Sequence, residues 1–257
     1  MKKNIIITSG PTNERLDAVM KITNMSTGAL GSIVADELLE TKSEEIDKLY
    51  YLSPKLAYKP RVESDKVELI TIESAEDLLR ELRKLLTEKK IDAIVHSAAV
   101  GDYIGEYAIT AKMLANEIAE KTYNSKLSRE DLEEFILGII RSPEQIVSDE
   151  HKISSYERDL MFKLNLTPKV ISEIKKISPD TSLFGFKLLD GVTHEELIEV
   201  ASRLREKNNA DYIIANDLST IGNGKHPAYF VSETGVDYTC ENKKEIAKTL
   251  TKLIFKN

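Results

Sequence analysis

The stretch NIIITSG, residues 4–10, decides the fold because it joins a β-branched run to a turn of small residues. Consecutive isoleucines are typical of a strand buried on both faces, and Gly10 followed by proline ends the run. Most of the later apolar runs have the same character and predict buried strands. These runs are DKLYYLS (47–53), KVELITI (66–72), IDAIVHSAAV (91–100), DLMFKLNL (159–166), TSLFGFKLL (181–189) and ADYIIANDL (210–218).

Helical patterns separate most of these runs, with apolar residues recurring on one face within 75–86, 197–204 and 246–254. The alternation predicts an α/β fold, Rossmann-like, with a mainly parallel sheet and helices on both faces. Ligands of such sheets bind beyond the carboxyl ends of the strands, so the residues after each strand are the candidate site.

One region breaks this rhythm. Residues 105–149 contain the helical stretches AITAKMLANEIAEKT and SREDLEEFILGII, with no strand between them. We therefore predict a single domain, 1–257, with an inserted helical flap at about 105–149.

Composition excludes several classes of protein. The chain has 257 residues, 41% of them hydrophobic, which is enough for a sizeable core, and its net charge of −7 argues against general nucleic-acid binding. Cys240 is the only cysteine, so an intrachain disulfide and a multi-thiolate metal site are excluded. The longest apolar runs fall far short of the roughly 20 residues that a bilayer requires. We expect a cytoplasmic protein that binds neither nucleic acid nor membrane.

The first candidate site lies in NMSTGALG, residues 24–31. Ser26 or Thr27 is a predicted helix N-cap, and Gly28 and Gly31 would leave the first-turn N–H groups open to an anion such as phosphate. Simple capping explains the pattern equally well, and neither a P-loop nor a dinucleotide glycine fingerprint is present. Asn24, before the cap, could bond either a loop carbonyl or a substrate.

Polar groups follow later runs as well. Asp102, in HSAAVGDY (96–103), could hold Mg²⁺ or form a turn. The small side chains of Ala98 and Ala99 leave the backbone of the same loop accessible. Lys152, in HKISSYERD (151–159), is a surface lysine by default, but on a mobile loop it could contact transferring phosphates.

Two central runs end in groups suited to a nucleotide. Phe186 is either a core residue, which is the commoner case, or a stacking platform, and Asn216 with Asp217 supplies polar groups at the same sheet edge. Pro168, in LTPKVISEIKK (166–176), occupies a predicted first helical position. The histidines are scattered and match no zinc or Ser-His-Asp pattern, so none is assigned to catalysis: His96, His151, His194 and His226.

Taken together and in order, these stretches resemble the phosphopantothenate-cysteine ligases of coenzyme A biosynthesis. The matching stretches are ITSGPTNERLDAV (7–19), ITNMSTGALG (22–31), SAAVGDY (97–103), KISS (152–155), LTPKVI (166–171), GFK (185–187) and DYIIAND (211–217). The resemblance implies that the carboxylate of 4'-phosphopantothenate attacks a nucleoside triphosphate, CTP being expected, with Mg²⁺ and release of pyrophosphate. The amine of L-cysteine then displaces the nucleotide from the acyl-nucleotidylate.

The resemblance also implies residue roles. Asn24 and Lys152 would be catalytic, and Asp102 would serve the metal. Substrate would be bound by Asn24, Ala98, Ala99, Asp102 and Lys21. The nucleotide would be bound by Gly10, Ser26, Gly28, Gly31, Asp102, Lys152, Pro168, Lys169, Val170, Ile171, Phe186, Arg203, Lys207 and Asn216.

Three departures from the family pattern stand out. Met20, with Lys21 beside it, occupies a position where the family often has an arginine that reaches the substrate phosphate across a dimer interface. The helical stretch before Lys152 is long, and KISS replaces a lysine-rich motif. We expect a free-standing ligase without flavin that forms a homodimer. The alternatives are an NAD(P)-dependent Rossmann oxidoreductase and a non-catalytic nucleotide-binding protein.

Overall fold

The computed structural model describes residues 1–147 and 152–256. His151 therefore lies outside the described residues, as does the end of the predicted insertion. The strands are β1 (Lys3–Thr8), β2 (Asn13–Arg15), β3 (Lys21–Thr23), β4 (Ile46–Ser53), β5 (Val67–Thr71), β6 (Ala93–His96), β7 (Tyr103–Thr110), β8 (Leu160–Leu166), β9 (Ser182–Leu189), β10 (Tyr212–Asp217), β11 (Ala228–Ser232) and β12 (Gly235–Cys240). The helices are α1 (Ala29–Lys42), α2 (Ala75–Glu88), α3 (Ala111–Thr122), α4 (Arg129–Arg141), α5 (Ile171–Ile177), α6 (His194–Asn208) and α7 (Lys243–Ile254).

Eight strands form the main sheet, in the order β12-β11-β10-β9-β6-β1-β4-β5. The six strands from β10 to β5 are parallel, and β11 and β12 extend the β10 edge in antiparallel pairing. After β1 the chain adds β4 and then β5 on one side of β1. It then forms β6 on the other side of β1 and continues outward to β9 and β10. The strand order therefore reverses between β1 and β6, where ligands of doubly wound sheets bind.

Helices cover both faces of this sheet, which confirms the predicted α/β class. Ile5 and Ile7 of β1 share a core with α1 and α7, whereas Ile6 lies in the opposite core with α2, α5 and α6. All three isoleucines are 0% exposed. The uninterrupted NIIIT run thus reflects a strand that is covered on both sides.

The chain divides into two compact units. The first comprises residues 1–13, 24–100 and those from 168 onward, and contains the main sheet; the second comprises Glu14–Thr23 and Gly101–Thr167. In the second unit β7 pairs antiparallel with β8, and α3 and α4 follow β7 along the chain.

The second unit corrects two predictions. Residues 105–110 belong to β7 and are not helical, so α3 begins at Ala111, where the Thr110 hydroxyl accepts a hydrogen bond from Met113 N. DLMFKLNL is a strand, but it lies in the two-stranded sheet and not in the main one. Its apolar residues alternate with Lys163 and Asn165, a pattern typical of a half-exposed strand.

Candidate functional site

The loops that follow β1 and β6 meet at the point where the strand order reverses. Ser97 N donates to Thr8 O at 3.1 Å, and Ala99 N donates to Gly10 O at 2.9 Å. Gly10 has φ +78°, a backbone conformation that favours glycine. A Cβ there would also lie 2.6 Å from Ala57 Cβ, so the packing requires glycine as well. The predicted residues Gly10, Ala98 and Ala99 are therefore brought together.

Asn24 lies over the same loops. Its side-chain Nδ2 donates to Ala99 O at 3.3 Å and to Val100 O at 3.2 Å, 75 and 76 residues away in sequence. The residue is exposed. The loop carbonyl considered from the sequence is thus a partner of Asn24, and both distances lie at or just beyond the upper end of the usual N–H···O range.

The start of α1 differs from the predicted capping. Gly28, with φ +78°, is the N-cap and makes no side-chain hydrogen bond, so the prediction that Ser26 or Thr27 caps the helix was wrong. Thr27 Oγ1 lies 3.4 Å from Ala29 N, at the outer limit of a hydrogen bond. Glycine is favoured at this position both by the left-handed φ and because a Cβ would lie 3.0 Å from Ser9 Oγ and 3.1 Å from Gly10 N.

Gly31 has a tighter packing requirement. A Cβ at this position would lie 2.4 Å from Ser9 Oγ and 3.0 Å from Ser97 Oγ. Gly31 thus lets the first turn of α1 press against the two strand-end loops. The first N–H groups of a helix have no partner within it, so this end of α1 remains a suitable anion site.

A buried polar chain beneath these loops was missed by sequence reasoning. His96 Nδ1 lies 2.9 Å from Thr8 Oγ1, which accepts from Ala98 N at 3.3 Å. Because burial lowers the pKa of His96 to about 4, the ring is neutral near pH 7. The Thr8 hydroxyl can then donate to Nδ1, which leaves the ring proton on Nε2 and fixes the Ala98 backbone.

The loop after β4 supports the start of α1 and was also missed. Tyr58 N donates to Thr27 O at 2.9 Å, and Ser32 Oγ donates to Lys59 O at 2.8 Å. The Lys59 ammonium donates to Pro54 O at 2.6 Å, and burial lowers its pKa. The segment carries no recognisable motif, so only its contacts reveal the role.

The residues predicted for the nucleotide base lie at β9, β10 and α5. Phe186 is half-buried against the α1 and α7 core, and Asn216 is buried with its Nδ2 donating to Pro227 O at 2.6 Å. Val170 and Ile171 pack into the opposite core, which leaves Pro168 and Lys169 as the exposed members of that group. The helix begins at Ile171, so the prediction that Pro168 is its first residue was wrong.

Arg203 and Lys207 lie on the second half of α6. Both are exposed, and Arg203 pairs with Glu199 on the same helix at 3.4 Å. Because α6 ends at Asn208 and β10 begins at Tyr212, Lys207 is close in sequence to the amino end of β10, whereas Asn216 is near its carboxyl end. The structure does not bring these two basic residues together with Asn216, and their role stays a prediction.

The other predicted residues belong to the second unit. Lys21 lies in β3, Asp102 directly precedes β7, and Lys152 precedes β8; all three are exposed. The Asp102 carbonyl accepts from Thr167 N at 3.0 Å. Among residues 1–147 and 152–256, no three His, Cys, Asp or Glu side chains are grouped as metal ligands.

The fold defines a doubly wound α/β protein, and the loops after β1 and β6 meet at its switch point, where ligands of such sheets bind. The chain matches, over residues 1–132 and 143–257, the family described as the DNA/pantothenate metabolism flavoprotein C-terminal domain, and it belongs to that family. The resemblance noted in the sequence is thereby confirmed.

Relatives and solved structures agree with this assignment. A structure of the DNA/pantothenate metabolism flavoprotein from Streptococcus pneumoniae is 33% identical, with a TM-score of 0.76 and 98% of both chains covered. The coenzyme A biosynthesis bifunctional protein CoaBC of Thermococcus kodakarensis is 25% identical over 96% of this chain. This chain spans 50% of that protein's length.

A third comparison concerns the fold alone. A Cab2 variant crystallised in complex with phosphopantothenate-cysteine is 15% identical, with a TM-score of 0.64, covering 98% of this chain and 87% of that one. Among the helices in the described part of the chain, none is long and apolar enough to cross a membrane.

Proposed function

We propose that this chain joins 4'-phosphopantothenate to L-cysteine and cleaves a nucleoside triphosphate to the monophosphate and pyrophosphate, as a step of coenzyme A biosynthesis. Family membership supports the proposal, as do the curated relatives, which are named coenzyme A biosynthesis bifunctional proteins. A structural neighbour was crystallised with phosphopantothenate-cysteine, the product of such a reaction.

One observation carries the proposal. The Asn24 amide binds the backbone carbonyls of Ala99 and Val100 at the switch point, beside Gly10 and the amino end of α1. An anion cradle and a displaceable amide donor in one crevice suit an acyl phosphate anhydride, which has a negative phosphate next to an activated carbonyl.

The proposed reaction has two displacements. A carboxylate oxygen of 4'-phosphopantothenate bonds to the α-phosphorus, and the bond from that phosphorus to the bridging oxygen breaks, releasing pyrophosphate. The cysteine ammonium first gives a proton to solvent, and the resulting amine attacks the acyl carbon. The carbon–oxygen bond to the nucleotide breaks, which releases the nucleoside monophosphate, and the new amide nitrogen gives its second proton to solvent. Neither step needs a protein nucleophile or a change of oxidation state, so positioning and electrostatic stabilisation suffice and no flavin is required.

Within this proposal, the first turn of α1 with Ser26, Gly28 and Gly31 contacts the nucleotide phosphates. Phe186 and Asn216 line the base, which we propose to be cytosine. Asn24 orients the acyl-nucleotidylate for attack by cysteine, and Lys152 contacts the transferring phosphate. These assignments follow the family pattern and agree with the exposure of Asn24 and Lys152.

Mg²⁺ fits Asp102 only as one carboxylate ligand beside the substrate phosphates, which is a common arrangement for this ion. When bound, Mg²⁺ would neutralise charge on the departing pyrophosphate.

The test is to incubate the protein with 4'-phosphopantothenate, L-cysteine and Mg²⁺, with CTP or ATP, and to measure pyrophosphate, nucleoside monophosphate and the cysteine adduct. Equal amounts of all three, with CTP preferred, are expected. Omitting cysteine should leave the acyl-nucleotide as the accumulating species. If neither nucleotide yields pyrophosphate, the proposed function is wrong.

A further inference from the structure

A buried carboxylate in the second unit has no role in the site described so far. Asp17, within the LDAV of the first family motif, is 1% exposed. Its Oδ1 accepts from Val19 N at 2.7 Å and from Met20 N at 2.6 Å. Its Oδ2 accepts from Ile153 N at 2.9 Å, a contact between residues 136 positions apart.

These bonds indicate a charged, fixed group. The hydrogen bond from Ile153 N is the largest influence on the pKa of Asp17; with those from Val19 and Met20 and the nearby Arg15 charge, it lowers that pKa despite burial. Ile153 is itself buried. Carboxylates that accept several backbone N–H bonds make strong contacts, so Asp17 joins two distant backbone segments firmly.

A lysine adjoins each anchored position: the family resemblance implies that Lys21 binds substrate, and the proposed function places Lys152 on the transferring phosphate. Lys21 directly follows Met20, and Lys152 directly precedes Ile153. Both lysine side chains are exposed although the neighbouring backbone is anchored. A ligand can therefore reach the ammonium groups while Asp17 restricts where their Cα atoms lie.

We infer that Asp17 is a positioning residue: through Met20 and Ile153 it holds the segments of Lys21 and Lys152 in a fixed mutual arrangement for the anionic substrate and the transferring phosphate. This inference rests on the proposed function. Met20 contributes only its backbone N–H to this contact, so the contact does not depend on the identity of its side chain.

The substitution Asp17→Asn separates the two halves of the contact. The amide oxygen can keep the bonds from Val19 and Met20, which leaves the amide NH₂ facing Ile153 N–H, where two donors oppose each other. We expect kcat to fall by about tenfold or more, as the loss of a charged hydrogen bond predicts, with the KM for cysteine little changed. Asp131→Asn, an exposed carboxylate of α4 in the same unit, is the matched control and should keep wild-type rates.

Two measurements distinguish positioning from general support of the fold. Hydrogen exchange in a peptide covering 152–159 should become faster in Asp17→Asn and stay as in wild type in Asp131→Asn. In a double-mutant cycle, Asp17→Asn should cost much less in a Lys152→Ala background than alone, because both changes remove the same contribution.

The inference is overturned if exchange at 152–159 is unchanged, if the two losses multiply independently, or if Lys152→Ala retains the wild-type rate. An inactive wild-type protein would refute the proposed function. Hydrogen exchange at 152–159 would then still test whether Asp17 holds this segment in place. Asp17→Ala, which removes all three hydrogen bonds, serves as a second variant if the amide reorients, and is expected to lose at least as much activity.

Discussion

At the scale of single residues, Asn24 is the side chain whose removal should separate the two displacements. It is exposed, and its two hydrogen bonds to the loop carbonyls are long. We predict that Asn24→Ala changes the free energy of unfolding by no more than about 0.5 kcal/mol, as for other surface substitutions.

The same Asn24→Ala variant should still release pyrophosphate, while the acyl-nucleotide accumulates and little cysteine adduct forms. Quench-flow analysis of both products checks this. Asn24→Asp keeps the size of the side chain but lacks the N–H donor. If the second displacement depends on that donor, this variant should give the same products as Asn24→Ala. Normal turnover in either variant would remove Asn24 from the second step.

His96 gives a prediction about pH and stability. Burial lowers the pKa of folded His96 to about 4, below the ordinary value of 6.5, so the unfolded chain binds more protons between these pH values. The stability due to neutral His96 is therefore fully present above pH 6.5 and is lost as the pH falls toward 4, by up to about 3 kcal/mol.

Urea unfolding of wild type and His96→Asn between pH 4 and 7 measures that contribution. The asparagine oxygen can still accept from Thr8, but it does not titrate, so the variant should show a smaller loss of stability on acidification. His194→Asn, the same replacement at an exposed histidine, is the control. Equal slopes for His96→Asn and wild type would contradict the assignment of a neutral buried ring.

At the scale of elements, the contact of α1 with the strand-end loops depends on Gly31. A methyl group there would meet Ser9 Oγ at 2.4 Å and Ser9 Cβ at 2.6 Å. We predict that Gly31→Ala shifts the start of α1, destabilises the fold by about 1–3 kcal/mol through overpacking, and weakens nucleotide binding.

Gly138 in α4 is a matched control, since a Cβ there meets nothing within 4 Å. Gly138→Ala should stabilise the chain by up to about 1 kcal/mol, as expected for glycine replaced by alanine inside a helix. Calorimetry and nucleotide titration of both variants test the pair. A Gly31→Ala protein as stable as wild type would show that α1 can move away from Ser9 without cost.

Some elements could be predicted from the sequence, whereas features that depend on contacts between distant segments could not. NIIIT and YIIAND predicted strands of the main sheet because both of their faces are covered. The rule that ligands bind beyond the carboxyl ends of strands indicated the loop after NIIIT, which meets the loop after β6; ligand binding there stays a prediction. The N-cap of α1 could not be found in this way, because Gly28 takes that position to bring the helix close to Ser9 and Gly10, a contact between distant segments. The positions of His96 and Lys59 likewise depend on partners that no local pattern identifies.

At the scale of the whole molecule, one face of the two-stranded β7–β8 sheet carries exposed apolar side chains. Tyr103, Leu164 and Leu166 are 52%, 38% and 69% exposed. Tyr103 pairs with Leu166, and Leu164 is two residues from Leu166, so the three side chains lie on one face. Exposed apolar groups that share a face are typical of an interaction surface.

We predict that two copies associate through this face, as the family's cross-subunit substrate contact implies. Sedimentation should give twice the chain mass of 28.9 kDa. Leu166→Glu should yield monomers, because the introduced charge would be buried without a partner, and ligase activity should fall with dimer content. Val236→Glu, a change at an exposed apolar residue of β12 in the other unit, should remain dimeric and active. A fully active Leu166→Glu monomer would show that each subunit binds the substrate phosphate with its own residues.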